Sequence, residues 1–198
     1  MFFDTYSLPA VFLIFITASF LLISWDWRLS ITFISIQYVG VFFLVAVSWP
    51  IEIAVVKVIS GWMAGAVLGL AMTNVPQDEW KESPLIASNV IFRILAASMA
   101  GLFAITAGAS IVRLFPEVST SQAYAGIIMI ALGLLHLGLT TKPFRVILGL
   151  LTVLGGFEIL YAAVESSILI TGLLATVTLG LAAVGAYLLT APTLEETS

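Results

Sequence analysis

Almost every residue of this chain falls in one of seven apolar stretches separated by short polar breaks. Each is close to the roughly 20 residues that an α-helix needs to cross the hydrocarbon core of a bilayer. The stretches run at 8–25, 29–48, 51–72, 85–112, 122–140, 143–164 and 167–190. With 61% hydrophobic and 9% charged residues and a mean hydropathy of +1.18, the chain has too few polar side chains to surround a core with a water-facing surface. Inside a bilayer no water is present to satisfy the backbone, so apolar runs of this length close their hydrogen bonds internally as helices. The expected fold is therefore an all-α integral membrane protein, a bundle of about seven transmembrane helices in a single transmembrane domain over residues 1–198. The break at 165–167 is the weakest, because a six-span reading with one long final hairpin loses only that short polar turn.

The breaks carry the signals that set topology. Trp25, Trp27, Trp49 and Trp80 fall in or beside them, where amphipathic indoles anchor helices at the membrane interface. With seven spans and the N-terminus outside, Arg28, Lys81, Lys142 and Arg145 lie on the cytoplasmic side and Arg113 on the outer side. This bias predicts a multi-pass protein of the cell inner membrane with its N-terminus outside and its C-terminus cytoplasmic. Met1-Phe2-Phe3-Asp4 lacks the positive region of a signal peptide, so the first apolar run is read as a retained helix. The net charge of −4 rests on few residues in short loops and at Glu195-Glu196, a pattern that speaks against nucleic acid as a partner. The absence of cysteine excludes disulfides, thiolate metal sites, iron–sulfur ligation and thiol catalysis.

Five ionisable residues, Lys57, Arg93, His136, Glu158 and Glu165, lie inside or at the edge of these spans. A charge at the bilayer centre costs about 2.5–3.5 kcal/mol even on insertion scales, so each is a candidate functional residue. Lys57 lies about six residues below the outer end of the third span and Glu158 about six below that of the sixth. At 1.5 Å rise per residue the two reach similar depth and can pair. Arg93 falls near the middle of the fourth span, and His136 about four residues from the inner end of the fifth. Lys57, Glu158, Arg93 and His136 are therefore proton relay candidates in a polar row across the membrane. Each has a bland alternative: Lys57 snorkels outward along its stem, Arg93 satisfies helix carbonyls or a partner subunit, and His136 is a structural histidine near the interface. Glu165 is expected to be solvated at a span end, and Glu52 to favour the start of the third span through the helix dipole.

Small residues indicate packing. Gly61, Gly65 and Gly69 recur every four residues on the third span, and Ala96, Ala97, Ala100, Gly101, Ala104, Ala107 and Gly108 crowd the fourth. This spacing lets helix backbones approach closely and predicts that spans three and four pack together. Gly149, Gly155, Gly156, Gly172 and Gly180 suggest a similar seam between spans six and seven. There is no phosphate-binding glycine loop, no metal-spaced histidine pair and no Ser-His-Asp set. The lone histidine argues against haem or metal ligation, and no cofactor is expected.

Two regions carry a family resemblance. In the first, residues 24–30 (Ser-Trp-Asp-Trp-Arg-Leu-Ser) are followed by Gln37, then Glu52, Lys57 and an exit at residues 72–77 (Met-Thr-Asn-Val-Pro-Gln). In the second, residues 125–190 hold an apolar helix, a basic turn at Lys142 to Arg145, a helix bearing Gly149 and Glu158, and a small-residue helix. Together these resemble the membrane component E of hydrogenase-4-type complexes. The last three spans are similar to the K subunit of complex I and the C subunit of multisubunit Na+/H+ antiporters, which makes 125–190 a K-subunit-like three-helix unit.

The resemblance implies a small membrane subunit of a complex I, group 4 hydrogenase or antiporter-like energy-converting complex, contributing to or sealing a proton-translocation path. Its implied partners are antiporter-like and quinone- or hydrogenase-module subunits within the lipid bilayer. Two departures bear on this. Leu154 stands near the place of the family's intramembrane Glu, with Glu158 one turn later on a similar face, and the second acidic position falls at Thr176 or Val177. Losing half of the carboxylate relay shifts the implied role toward a non-catalytic scaffold or assembly subunit. A free-standing small transporter is the remaining reading.

Overall fold

The computed structural model describes residues 2–76 and 87–191. Among the described residues there are seven helices: α1 (Phe2–Ile23), α2 (Trp27–Val45), α3 (Ile51–Thr73), α4 (Ala87–Leu114), α5 (Thr120–Gly138), α6 (Pro143–Val164) and α7 (Ile168–Thr190). All seven are long and apolar enough to cross a membrane, and the described residues include no strand. The break at 165–167 separates α6 from α7, so the six-span alternative falls away. Trp80 and Lys81 lie outside the described residues.

Local chemistry sets the helix ends. Asp26 accepts a hydrogen bond from the Arg28 amide at 2.8 Å to start α2. Ser119 and Gln122 form a reciprocal capping box at α5, and Pro143 opens α6, where its missing N–H has no intrahelical partner to lose. Glu52 sits exposed in the first turn of α3, as the dipole argument anticipates. Apolar side chains surround most helices, so large ones such as Met99 and Leu169 point out of the bundle at 73% and 77% exposure, the pattern of a lipid-facing surface.

The helices form two rows. One is α1, α2 and α3; the other is α4, α5, α6 and α7. Across the rows α1 lies on α4 and α5, α2 on α6, and α3 on α7. The α5–α6 contact is the most intimate, and α4 and α7 are the least enclosed elements. At the upper end of the bundle, Gln122 Nε2 donates to Leu44 O and Ser48 Oγ, and Trp49 Nε1 donates to Glu165 O, which joins the α4–α5, α2–α3 and α6–α7 turns. The lower end carries the α1–α2 and α5–α6 turns.

The glycines pack differently from the expectation. Gly61, Gly65 and Gly69 do not meet α4; they face Tyr38, Ser35 and Ile31 of α2. Gly61 makes room for the whole Tyr38 ring. The α4 glycines likewise meet Phe15 of α1 and Tyr124 of α5. The expected seam between spans six and seven lies instead between α5 and α6: a Cβ on Gly156 would stand 2.7 Å from Gly126 O, and one on Gly133 would stand 3.1 Å from Gly149 O. Gly172 and Gly180 face open space. Spacing reveals that a helix has a close-approach face, but the neighbour that fills it is set by how all seven helices assemble.

Gly156→Ala should lower stability by ~1–3 kcal/mol, because backbone blocks the added methyl and must shift. Gly180→Ala should leave stability unchanged or slightly raised. Thermal unfolding of the two variants in mild detergent checks the contrast, and equal melting temperatures would contradict the assigned seam.

Candidate functional site

Two buried polar groups occupy opposite ends of the bundle. In the upper one, Lys57 Nζ of α3 donates to Glu158 Oε1 of α6 at 2.8 Å, and the side chains are 0% and 1% exposed. Lys57 therefore does not snorkel. Its stem stays among buried Ala54, Ser60 and Gly61 on the same helix face. The ammonium also lies 6.0 Å from the centroid of the Trp49 ring. Trp49, expected as a lipid-interface anchor, is instead 4% exposed and roofs the pair. Taking two charges out of water costs several kcal/mol each, and only close pairing with further hydrogen bonds offsets that.

The further bonds are incomplete. Glu158 Oε2 has no hydrogen-bond partner, nor do both ends of the Gln37 amide, and both residues are at most 1% exposed. Tyr38 lies within electrostatic reach of Glu158 and beside Thr178. The Thr178 hydroxyl spends its proton on Leu174 O at 3.0 Å, which leaves its oxygen able only to accept. Thr176 and Val177, where the resemblance places the second acidic residue, are exposed on α7, whereas Thr178 faces the interior.

The lower group is built around Trp25. Arg93 and Arg145 each place a guanidinium over its ring, at 4.7 and 4.6 Å from the centroid. Arg145 donates to Ser24 O, Leu21 O and Leu22 O, and Arg93 donates to Leu22 O at 2.6 Å and Leu139 O at 3.5 Å. These carbonyls end α1 and α5, where a helix leaves four acceptors unpaired and its dipole is negative. The planar, multi-donor guanidinium suits both the carbonyls and the stacking. His136, 3% exposed, lies within electrostatic reach of both arginines, and its Nε2 has no partner.

The relay candidates thus fall into two sets. The structure brings Lys57 to Glu158 and Arg93 to His136, but it does not join the sets through Arg93. Its guanidinium reaches the lower helix ends rather than mid-membrane, because that is where the free carbonyls are. On α6, Arg145 and Glu158 are about 20 Å apart by helix rise. Glu165 is exposed at the end of α6, with Oε1 accepting from the Ser166 amide. Among the described residues no three His, Asp or Glu side chains converge as a metal site requires.

Sequence reasoning missed Arg145, Trp25, Tyr38 and the structural setting of Gln37. Arg145 reads as a loop charge beside Lys142-Pro143, yet it is 2% exposed. Its position as the third residue of α6 was the available signal, since a long side chain there reaches back to neighbouring helix ends. Gln37 stands ten residues into α2, and an uncharged amide that deep in a span is itself a signal of interior polarity.

Breaking the pair on one side strands a buried charge, at a cost of about 3–5 kcal/mol. Glu158→Gln and Lys57→Met should each reduce the folded fraction strongly. The double variant should recover much of the loss, since neither charge is then left alone. Chemical unfolding of the three proteins in detergent measures the coupling, and additive losses would show that the two side chains act independently.

Comparison with known proteins returns nothing for this chain: no family model, no curated protein and no solved structure matches it.

Proposed function

We propose that this chain is a small membrane subunit of a complex I, group 4 hydrogenase or antiporter-like assembly, in which the Lys57–Glu158 pair couples or seals a proton path. One observation carries the reading: a fully buried carboxylate is paired with an ammonium through one oxygen and has no hydrogen-bond partner on the other. An ion pair that served stability alone would gain by saturating both carboxylate oxygens. A half-satisfied one suits a group that takes up and returns a proton as its lysine partner shifts. The resemblance of residues 24–77 and 125–190 to membrane subunits of such complexes supports the same reading. In this arrangement the lower end of the bundle is cytoplasmic and the N-terminus is outside, in the cell inner membrane. The partners are antiporter-like and quinone- or hydrogenase-module subunits.

A second reading, a non-catalytic scaffold or assembly subunit, is favoured by Arg93 and Arg145. Both spend donors on helix-end carbonyls, so that the charges tie α1, α4, α5 and α6 together. The two readings differ in what Glu158 does once the complex is assembled.

Affinity purification of the full chain from its own membranes in mild detergent should carry along several larger multi-pass subunits in fixed ratio. In vesicles holding the fraction of that complex that still assembles, Glu158→Gln should reduce proton translocation per complex, whereas Glu165→Gln should leave it intact. Full translocation by a normally assembled Glu158→Gln complex would favour the scaffold, and a chain that purifies alone would overturn both readings.

A further inference from the structure

Beyond the charged residues, the bundle holds buried neutral and weakly basic polar atoms with no partner: Gln37 Oε1 and Nε2, and His136 Nε2. Their heights can be read from the contacts between helices. Val41 of α2 and Met129 of α5 both meet the backbone at Gly155 of α6, so these three residues share one level. Glu158 is one turn above that level, about 4.5 Å by helix rise. Gln37 is one turn below it on α2, about 6 Å, and His136 is two turns below it on α5, about 10 Å. Gln37 therefore stands between Glu158 and His136 in height. It lies on the stripe of α2 that also buries Ile34, Val41 and Leu44.

Two packed apolar clusters lie at heights near that of Gln37. Val41, Leu44, Met129, Leu132 and Ile159 belong to one packed cluster above it, and Ile34, Tyr38, Leu148 and Leu151 to another around and below it. A fully buried amide with both ends unpartnered carries a desolvation penalty of a few kcal/mol unless something polar joins it. Leu or Met would fill the same position without that cost. An amide is also the side chain that can donate on one side and accept on the other while remaining neutral.

We infer that Gln37, with Tyr38, holds a short file of ordered water molecules that links the Lys57–Glu158 pair to His136 through the middle of the bundle. This rests on the proposed proton role of the pair and supplies the link that Arg93 does not make. A water in such a site needs two to four polar partners. The Glu158 carboxylate and the Tyr38 phenol meet this need at the upper end, both ends of the Gln37 amide in the middle, and the His136 ring at the lower end. A proton entering at the His136 side is accepted by one water, which releases another to its neighbour, and the last is taken by the free Glu158 oxygen. Gln37 orients the file and is itself unchanged, which makes it a positioning residue.

The test uses the full-length chain in lipid bilayers and magnetisation transfer from water observed by solid-state NMR. Gln37 is one of three glutamines and His136 is the sole histidine, so both signals are readily assigned. Transfer from water to the Gln37 side-chain amide and to the His136 ring is expected in the unaltered protein, and a dry Gln37 amide would overturn the file. Gln37→Leu should then keep the melting temperature or raise it while abolishing proton translocation in vesicles carrying the assembled complex. Full translocation in that variant would overturn the file as a route. The parent reading fails separately: Glu158→Gln without effect on translocation, with water still present at Gln37, would remove the proton role of the pair and leave the hydrated site standing.

Discussion

A lysine and a glutamate removed together from water fix how the two rows of helices can lie. Lys57 belongs to the α1–α2–α3 row and Glu158 to the other, and their 2.8 Å contact allows little sliding or rotation of α3 against α6. Apolar packing inside a membrane supplies no comparable demand, since lipid tails are as apolar as leucine and many helix orientations bury similar side chains equally well. An ion pair is different because its alternatives each strand a charge. Much else accommodates it: Gly61 yields space to Tyr38 one turn below Lys57, the α5–α6 glycines bring α6 close against α5, and Trp49 closes the top through its bond to Glu165 O.

The lower arginine cluster works by another principle. It gathers the carbonyl ends of α1 and α5, using Trp25 as a common surface for two guanidiniums. One end of the protein is thus held by opposite charges and the other by cations against helix dipoles. Both respond to ionisation, but only the upper end holds a buried carboxylate in contact with a cation among the described residues.

What the sequence made legible follows from what is local. Span positions depend on runs of apolar residues, and the seven helices fall within a few residues of those runs apart from the earlier start of α1. The meeting of Lys57 and Glu158 was legible because depth along a helix is a linear count, and two charges at one depth have a strong mutual incentive. Azimuth was not legible. Whether Gly65 faces α2 or α4 depends on how all the helices assemble, and nothing within α3 encodes that choice. Arg145 and Trp49 were misplaced for a related reason: both lie at breaks, and interfacial position alone does not say whether a side chain turns outward to the headgroups or inward onto another helix end. The role inferred for Gln37 needed three dimensions, because its significance lies in unpartnered atoms rather than in its residue type.

The partners in the upper ion pair are 101 positions apart in the chain. During synthesis at about 5–20 residues per second, Lys57 is therefore made on the order of 5–20 s before Glu158. Until its partner arrives, a lysine of that length can keep its ammonium at one membrane face, a posture that the finished protein abandons. Final seating of α3 is consequently tied to the arrival of α6, so that the order of biogenesis is set by electrostatics.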